Sequence, residues 1–244
     1  MQRFFLGTAA ALVTVGSALA ADLPAKAPPL KAAPLPVQVY NWTGCYVAGG
    51  GGYGMFNQDV TTFNGNVALG DGTIGGRGWF GTAGGGCDLQ ISSSWVFGAF
   101  GDYDFSDING DFVLPGDGRT GREKQSSAWA AGGRLGYTLT PTILTYANAG
   151  YTQARFDAIN LQDNLSIGAH TYSGWFVGAG YEYRLDWFPG LFWKTEYRYA
   201  QYGKDNLPIL SGGVPTVNGS IDSEKFIQTI RSELVWRFNW GGRY

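Results

Sequence analysis

Residues 175–184 read WFVGAGYEYR, and in an extended chain they split cleanly by parity. Trp175, Val177, Ala179, Tyr181 and Tyr183 share one face, while Phe176, Gly178, Gly180, Glu182 and Arg184 share the other. Both charges lie on one side, and the opposite side is aromatic and aliphatic. Eight segments carry this pattern, at 42–55, 78–90, 95–106, 128–138, 143–152, 174–184, 191–200 and 226–238. On their apolar parity there is no Asp, Glu, Lys or Arg. The other parity holds Asp88, Asp102, Asp104, Glu182, Glu196 and Glu233 against Arg134, Arg184, Lys194, Arg198, Arg231 and Arg237, six acids and six bases. A charge facing lipid near the bilayer midplane costs roughly 2–4 kcal/mol, so a charge-free parity is what a lipid-facing surface requires. The charged parity then lines the inside of a closed barrel.

The start of the chain points to export. Residues 1–20, MQRFFLGTAAALVTVGSALA, combine an early base, a short apolar run and small residues at Ala18 and Ala20, the pattern of a cleavable signal peptide. The run falls short of the roughly 20 apolar residues that a spanning helix needs. The mature chain is expected to begin at Ala21. Residues 21–40, rich in Pro and Ala with two lysines, read as an extended periplasmic linker, and 41–244 as the barrel domain. With no other segment apolar enough for a helix, a membrane location demands a closed barrel, which satisfies every backbone hydrogen bond in hydrocarbon.

Composition agrees. Charged residues make up 15% and aromatics 16% of the chain, glycine supplies 39 of 244 residues, and mean hydropathy is −0.11, as alternating strands average out to be. A formal charge of −2 offers no basic footprint for nucleic acid. Connections at 56–77, 107–127, 153–173 and 201–225 are long and polar, whereas 91–94, 139–142 and 185–190 are short. That asymmetry predicts an all-β, eight-stranded antiparallel up-and-down transmembrane barrel with long extracellular loops and short periplasmic turns. Turn dipeptides are read at Asn64-Gly65, Asp71-Gly72, Asn109-Gly110, Asp117-Gly118, Asn218-Gly219 and Pro189-Gly190.

The stretches YNWTGCYVAGGGGYG, GGRLGY, SGWFVGAGYEYRL, WKTEYRYAQYG and TIRSELVWRF resemble the small eight-stranded outer-membrane proteins of alphaproteobacteria, the immunogenic or surface-antigen type often grouped as a porin family. The similarity spans nearly the whole mature chain. It implies the cell outer membrane and a structural, antigenic or porin-like role without a shared catalytic motif. Such barrels usually stop at a terminal aromatic. Here Phe238 is followed by NWGGRY, so either Phe238 or the extension with Trp240 and Tyr244 carries the signal read by the barrel assembly machinery.

An eight-stranded barrel is just wide enough for side chains to fill. Opposed charges with Tyr46, Phe80, Phe176 and Phe192 on the same parity predict a plugged lumen, since buried charge is tolerable only when paired and hydrogen-bonded. Parity and strand adjacency suggest Glu182 with Lys194 or Arg198, and Glu196 with Arg231; Glu233 and Arg237 belong to the closing strand and can reach the neighbours of the first. Cys45 and Cys87 face outward near the same periplasmic edge. Both a disulfide, in an oxidising periplasm, and a pair of lipid-facing thiols fit that placement.

Other motifs are set aside. Gly49–Gly52 and Gly84–Gly86 lack the lysine and helix of a phosphate loop and read as strand glycines beside bulky neighbours. Two cysteines and one histidine make no metal site, and no cofactor is expected. Asp59, Asp71, Asp107, Asp111 and Asp117 lack calcium-loop spacing and read as solvated loop charge rather than as sites for ions bridging lipopolysaccharide. His170, beside Thr171, Tyr172 and Ser173, reads as a loop residue without a nearby carboxylate, so an enzyme acting on lipid A is not expected. Phe112, Val113 and Leu114 form the compact apolar cluster of the loops. The expected protein serves envelope structure or cell-surface interaction, among outer-membrane lipid and lipopolysaccharide; a narrow pore for small solutes is the alternative.

Overall fold

The computed structural model describes residues 40–238; the leader, the linker up to residue 39 and the segment 239–244 with Trp240 and Tyr244 lie outside the described residues. Eight long strands form the wall: β1 (Gly44–Asn64), β2 (Val67–Gln90), β3 (Trp95–Val113), β4 (Thr120–Thr140), β5 (Ile143–Phe156), β8 (His170–Arg184), β9 (Leu191–Ser211) and β10 (Val214–Phe238). Between β5 and β8 sits a small hairpin of β6 (Ile159–Asn160) and β7 (Leu165–Ile167), with β7 pairing to the outer end of β9 through Ile167 and Ile209. Each long strand pairs antiparallel with the next, β9 pairs with β10, and β10 pairs with β1 from Cys45↔Phe238 to Asn64↔Gly219. The sheet therefore closes on itself with no free edge among the long strands.

The outward face shows why the sequence alternates. Two rings of aromatic residues stand on it, as interfacial girdles do. One includes Trp95 against Tyr137 and Phe188 against Trp236; the other pairs Tyr53 with Trp79, Tyr103 with Phe105, Trp129 with Tyr151 and Trp175 with Tyr199. Just beyond the second ring come the first outward charges: Asp59, Arg77, Asp107, Lys124, Arg155, Lys204 and Glu224. The bilayer is crossed below that ring of charge, by 45–55 on β1 and 226–238 on β10.

Above it the structure corrects the sequence reading. The polar connections are mostly strand. β1 runs on to Asn64 and β2 starts at Val67, leaving a two-residue turn in which Gly65 has φ +61°. β9 and β10 meet at Gly212 and Gly213, with φ of +57° and +84°, the left-handed pair that a tight hairpin requires. Asp71-Gly72, Asn109-Gly110 and Asn218-Gly219, read as turns, lie inside β2, β3 and β10. Outside the bilayer both faces tolerate polar residues, so the alternation fades while the hydrogen-bond ladder continues. The upper interior buries an apolar cluster of Val60, Phe112, Leu114, Ile159, Leu161, Ile167, Leu207 and Ile209. Phe112 and Leu114 thus pack inward, while Val113 is exposed.

Candidate functional site

The lumen is the site, and its side chains fall into tiers. Nearest the periplasmic end, Arg134 on β4 and Arg237 on β10 face Asp88 on β2 and Glu182 on β8, and each acid contacts both bases. Arg237 donates through Nε to Glu182 Oε1 at 2.5 Å, through Nη2 to Oε2 at 2.8 Å and through Nη1 to Asp88 Oδ2 at 2.7 Å. Arg134 donates through Nε to Asp88 Oδ1 at 2.7 Å and through Nη1 to Glu182 Oε2 at 3.4 Å. The guanidiniums also lie over aromatic rings, Arg134 at 4.7 Å from the centre of Tyr46 and Arg237 at 4.9 Å from that of Trp42. Tyr40, Trp42 and Phe192 stack mutually at 5.2 Å on that side.

The next tier joins Arg198 and Arg231 to Asp102, Asp104 and Glu196. Arg198 holds Asp102 with two bonds of 2.9 and 2.8 Å and Glu196 with one of 2.9 Å; Arg231 reaches Asp104 at 2.9 Å and Asp102 at 3.1 Å. Glu196 also accepts from Tyr146 Oη at 3.0 Å and Asn148 Nδ2 at 2.9 Å. Lys194 pairs with Glu233 at 2.5 Å. Each side chain of this tier is at most 9% exposed and each charge has an opposite charge within ion-pair distance, although the Glu233 carboxylate makes no hydrogen bond and rests on its ion pair with Lys194 alone. Two cavities among these and higher residues measure about 10 and 20 Å³, room for about one water each.

The lining residues of the sequence reading are therefore brought together, with three corrections. Glu182 is opposite Lys194 in register, yet it bonds to Arg134 and Arg237; Arg231 is opposite Glu196, yet it bonds to Asp102 and Asp104. These arginines and Glu182 reach across the narrow lumen instead of to the adjacent strand, whereas Lys194 pairs with its register partner Glu233. Arg184 sits at the rim, half-buried, and pairs with Asp186 of the β8–β9 turn. Arg237, on the closing strand, does find its partner on β2, the neighbour of the first strand.

A third tier was missed: Gln58, Glu123, Ser223 and Lys225, all buried above the membrane-crossing segments. Continuing the inward parity past each segment's end would have found it. Counting it and leaving out Arg184, the lumen holds seven acids and six bases among the described residues.

The remaining candidates lie elsewhere. Cys45 and Cys87 are register partners and are joined by a disulfide, with Cα atoms 3.9 Å apart. His170 opens β8, and Asp205 on β9 supplies the carboxylate that the sequence did not show, at 2.9 Å from Nε2; the ring stacks edge-on with Tyr172 at 4.8 Å. Asp59 accepts from Thr73 at 2.8 Å, Asp107 pairs with Lys124 at 2.8 Å and Asp117 pairs with Arg119. Hydrogen bonds from Lys124 and Asn109 hold the Asp107 carboxyl below its ordinary range, and the same bond to Asp107 raises the Lys124 amine.

A closed eight-strand sheet with an uncharged, girdled exterior and a charge-paired interior defines an outer-membrane barrel. The chain belongs to the family described as outer membrane protein beta-barrel domain, which matches residues 8–238. It is similar to the 31 kDa outer-membrane immunogenic protein of Brucella melitensis, 30% identical over 98% of this chain and 100% of that one. The 25 kDa outer-membrane immunogenic protein of the same organism is 30% identical over 93% of this chain and 95% of its own length. Among solved structures, the outer membrane protein OprG from Pseudomonas aeruginosa aligns with 81% of this chain and 98% of its own at 12% identity, with a TM-score of 0.49. The protein resides in the outer membrane.

Proposed function

We propose that this barrel is a plugged, non-catalytic element of the envelope that presents its strand extensions at the cell surface. One observation supports the reading: the arginines of two tiers reach across the lumen to carboxylates on other strands, Arg198 to Asp102, Arg231 to Asp104, and Arg237 to Asp88 and Glu182. His170 is accounted for by its bond to Asp205 and its packing on Tyr172. The outward bases Arg77, Lys124 and Arg155, just above the outer girdle, stand where the anionic head groups of lipopolysaccharide would meet the wall. The extensions carry exposed Val67, Leu69, Val214 and Val217 at their tips, an accessible surface of the kind an antigen displays.

Planar-bilayer recordings of the refolded protein test this. Wild type is expected to be silent, and Arg198→Ala with Arg231→Ala is expected to leak, because it empties the middle tier. Reproducible wild-type conductance steps would overturn the plugged reading and make the protein a narrow pore.

A further inference from the structure

The third tier contains the parts of a chemical reaction. Gln58 on β1 and Lys225 on β10 are register partners at the seam where the barrel closes. The Lys225 amine touches Gln58 Oε1 and lies 2.5 Å from Glu123 Oε1, while Gln58 Nε2 donates to the other oxygen of Glu123 at 2.5 Å. Ser223 Oγ donates to Gln58 Oε1 at 3.1 Å. All four residues are at most 3% exposed. Around the amine stand the rings of Phe156, Tyr172 and Phe56, with centres at 4.2, 4.8 and 5.6 Å. A carboxamide, an amine and a carboxylate, each in contact with the other two, thus share a buried pocket whose residual cavity has room for about one water. In the two lower tiers the bases are paired to carboxylates; among the described residues, only here does a buried amine hydrogen-bond an amide carbonyl.

We propose that Gln58 and Lys225 become joined by an intramolecular isopeptide bond, with Glu123 relaying the protons. Glu123 takes a proton from the Lys225 ammonium. The neutral amine, on turning from the oxygen it touches to the face of the carbonyl, attacks Gln58 Cδ, the carbon bonded to that oxygen. The developing oxyanion on Oε1 is held by the Ser223 hydroxyl, the role that preorganised donors play in acyl transfer. Glu123 passes protons from the attacking nitrogen to Nε2, the Cδ–Nε2 bond breaks, and nitrogen leaves as ammonium. The Glu123 carboxylate is restored. One C–N bond forms, one breaks, and no oxidant or external reactant enters. Burial favours the first step, because it pushes the Lys225 amine below its ordinary value against the opposing pull of Glu123. Holding nucleophile and carbonyl in contact supplies the rest of the drive, as for any well-oriented intramolecular acyl transfer. The product would staple the first strand to the last, 167 residues apart, where only the ladder and side-chain contacts now hold the seam.

The test is the mass of the full chain extracted from outer membranes, reduced and denatured, together with peptide mapping. The expected result is a chain lighter by one ammonia, about 17 Da, than the mature sequence its mapped N-terminus defines, and a branched peptide linking residues 58 and 225. Glu123→Gln and Lys225→Met are expected to keep the full mass and yield linear peptides, with folding checked by the heat-dependent shift in gel mobility. A wild-type chain of full mass with linear peptides carrying Gln58 and Lys225 overturns the proposal, whether or not the variants fold. A cross-link that persists in folded Glu123→Gln overturns the role given to Glu123.

Discussion

Glu182→Met isolates the energetics of the lumen. The carboxylate accepts two bonds from Arg237 and one from Arg134, and all three side chains are at most 2% exposed. Its removal leaves two buried guanidiniums sharing Asp88, with Arg237 keeping only that bond of 2.7 Å and a marginal one to the Trp42 carbonyl at 3.5 Å. Deleting one partner of a buried pair costs about 3–5 kcal/mol, because the orphaned charge stays desolvated. Replacing both partners by apolar groups is often neutral, so Glu182→Met/Arg237→Met, which keeps the Arg134–Asp88 pair, is expected within about 2 kcal/mol of wild type. Urea unfolding in vesicles, followed by tryptophan fluorescence, reads both. At a slope of about 2 kcal/mol/M the single variant moves the midpoint down by about 1.5–2.5 M, and the double variant recovers most of that loss. If the single variant costs less than about 1 kcal/mol, or the double is as unstable as the single, the charges are hydrated in an open lumen and the plugged reading fails.

Cys45→Ser/Cys87→Ser opens a cross-link with a sequence separation of 42, worth about 4 kcal/mol by loop-closure entropy; an unfolding midpoint insensitive to reductant in wild type would refute it. At Gly180 a methyl group would stand 2.4 Å from the Thr195 carbonyl oxygen and 2.7 Å from Tyr146 Oη, so Gly180→Ala is expected to push Tyr146 off Glu196 and cost about 1–3 kcal/mol. Gly203→Ala, whose nearest neighbour would lie at 3.8 Å, is the matched control, and equal losses in the two would contradict the packing argument. Asp107 has a folded-state pKa below its unfolded one, so its contribution to stability is present above the ordinary carboxylate range and fades as pH falls through the folded value. Carboxyl NMR should show Lys124→Ala returning Asp107 toward its ordinary titration, and an unmoved titration would exclude Lys124 as the cause.

What the sequence disclosed follows from what a bilayer forbids. Lipid excludes charge from one parity, so the wall, the strand count and the inward direction of Asp88, Asp102, Glu196 and Arg237 were all legible. The disulfide was legible as a placement, and the zero stagger of Cys45 on Cys87 decided it. Above the outward charges that constraint ends. Asp71-Gly72 and Asn109-Gly110 then carried turn composition inside strands, and Glu123 and Lys225 fell within connections read as long and polar although both are buried. Partner choice was not legible either. Parity assigns a face, but a guanidinium on a long stem selects among carboxylates around the whole circumference.

That selection across the lumen bears on how the barrel holds together. Arg237 and Asp88 are 149 residues apart, Arg231 and Asp104 are 127 apart, and Lys225 and Glu123 are 102 apart. Contacts of such separation form only after the intervening chain has been organised, since loop-closure entropy must be met before they contribute. Both arginines and the lysine sit on β10, the strand whose pairing with β1 completes the ring. Their carboxylates stand on β2, β3 and β4, so without β10 those acids would face the lumen with part of their pairing missing. The last strand thus completes the hydrogen-bonded wall and the neutralisation of the interior in one step. Opening the β1–β10 seam must break both together, which gives a barrel that resists unzipping at the junction where an open sheet would otherwise expose two edges.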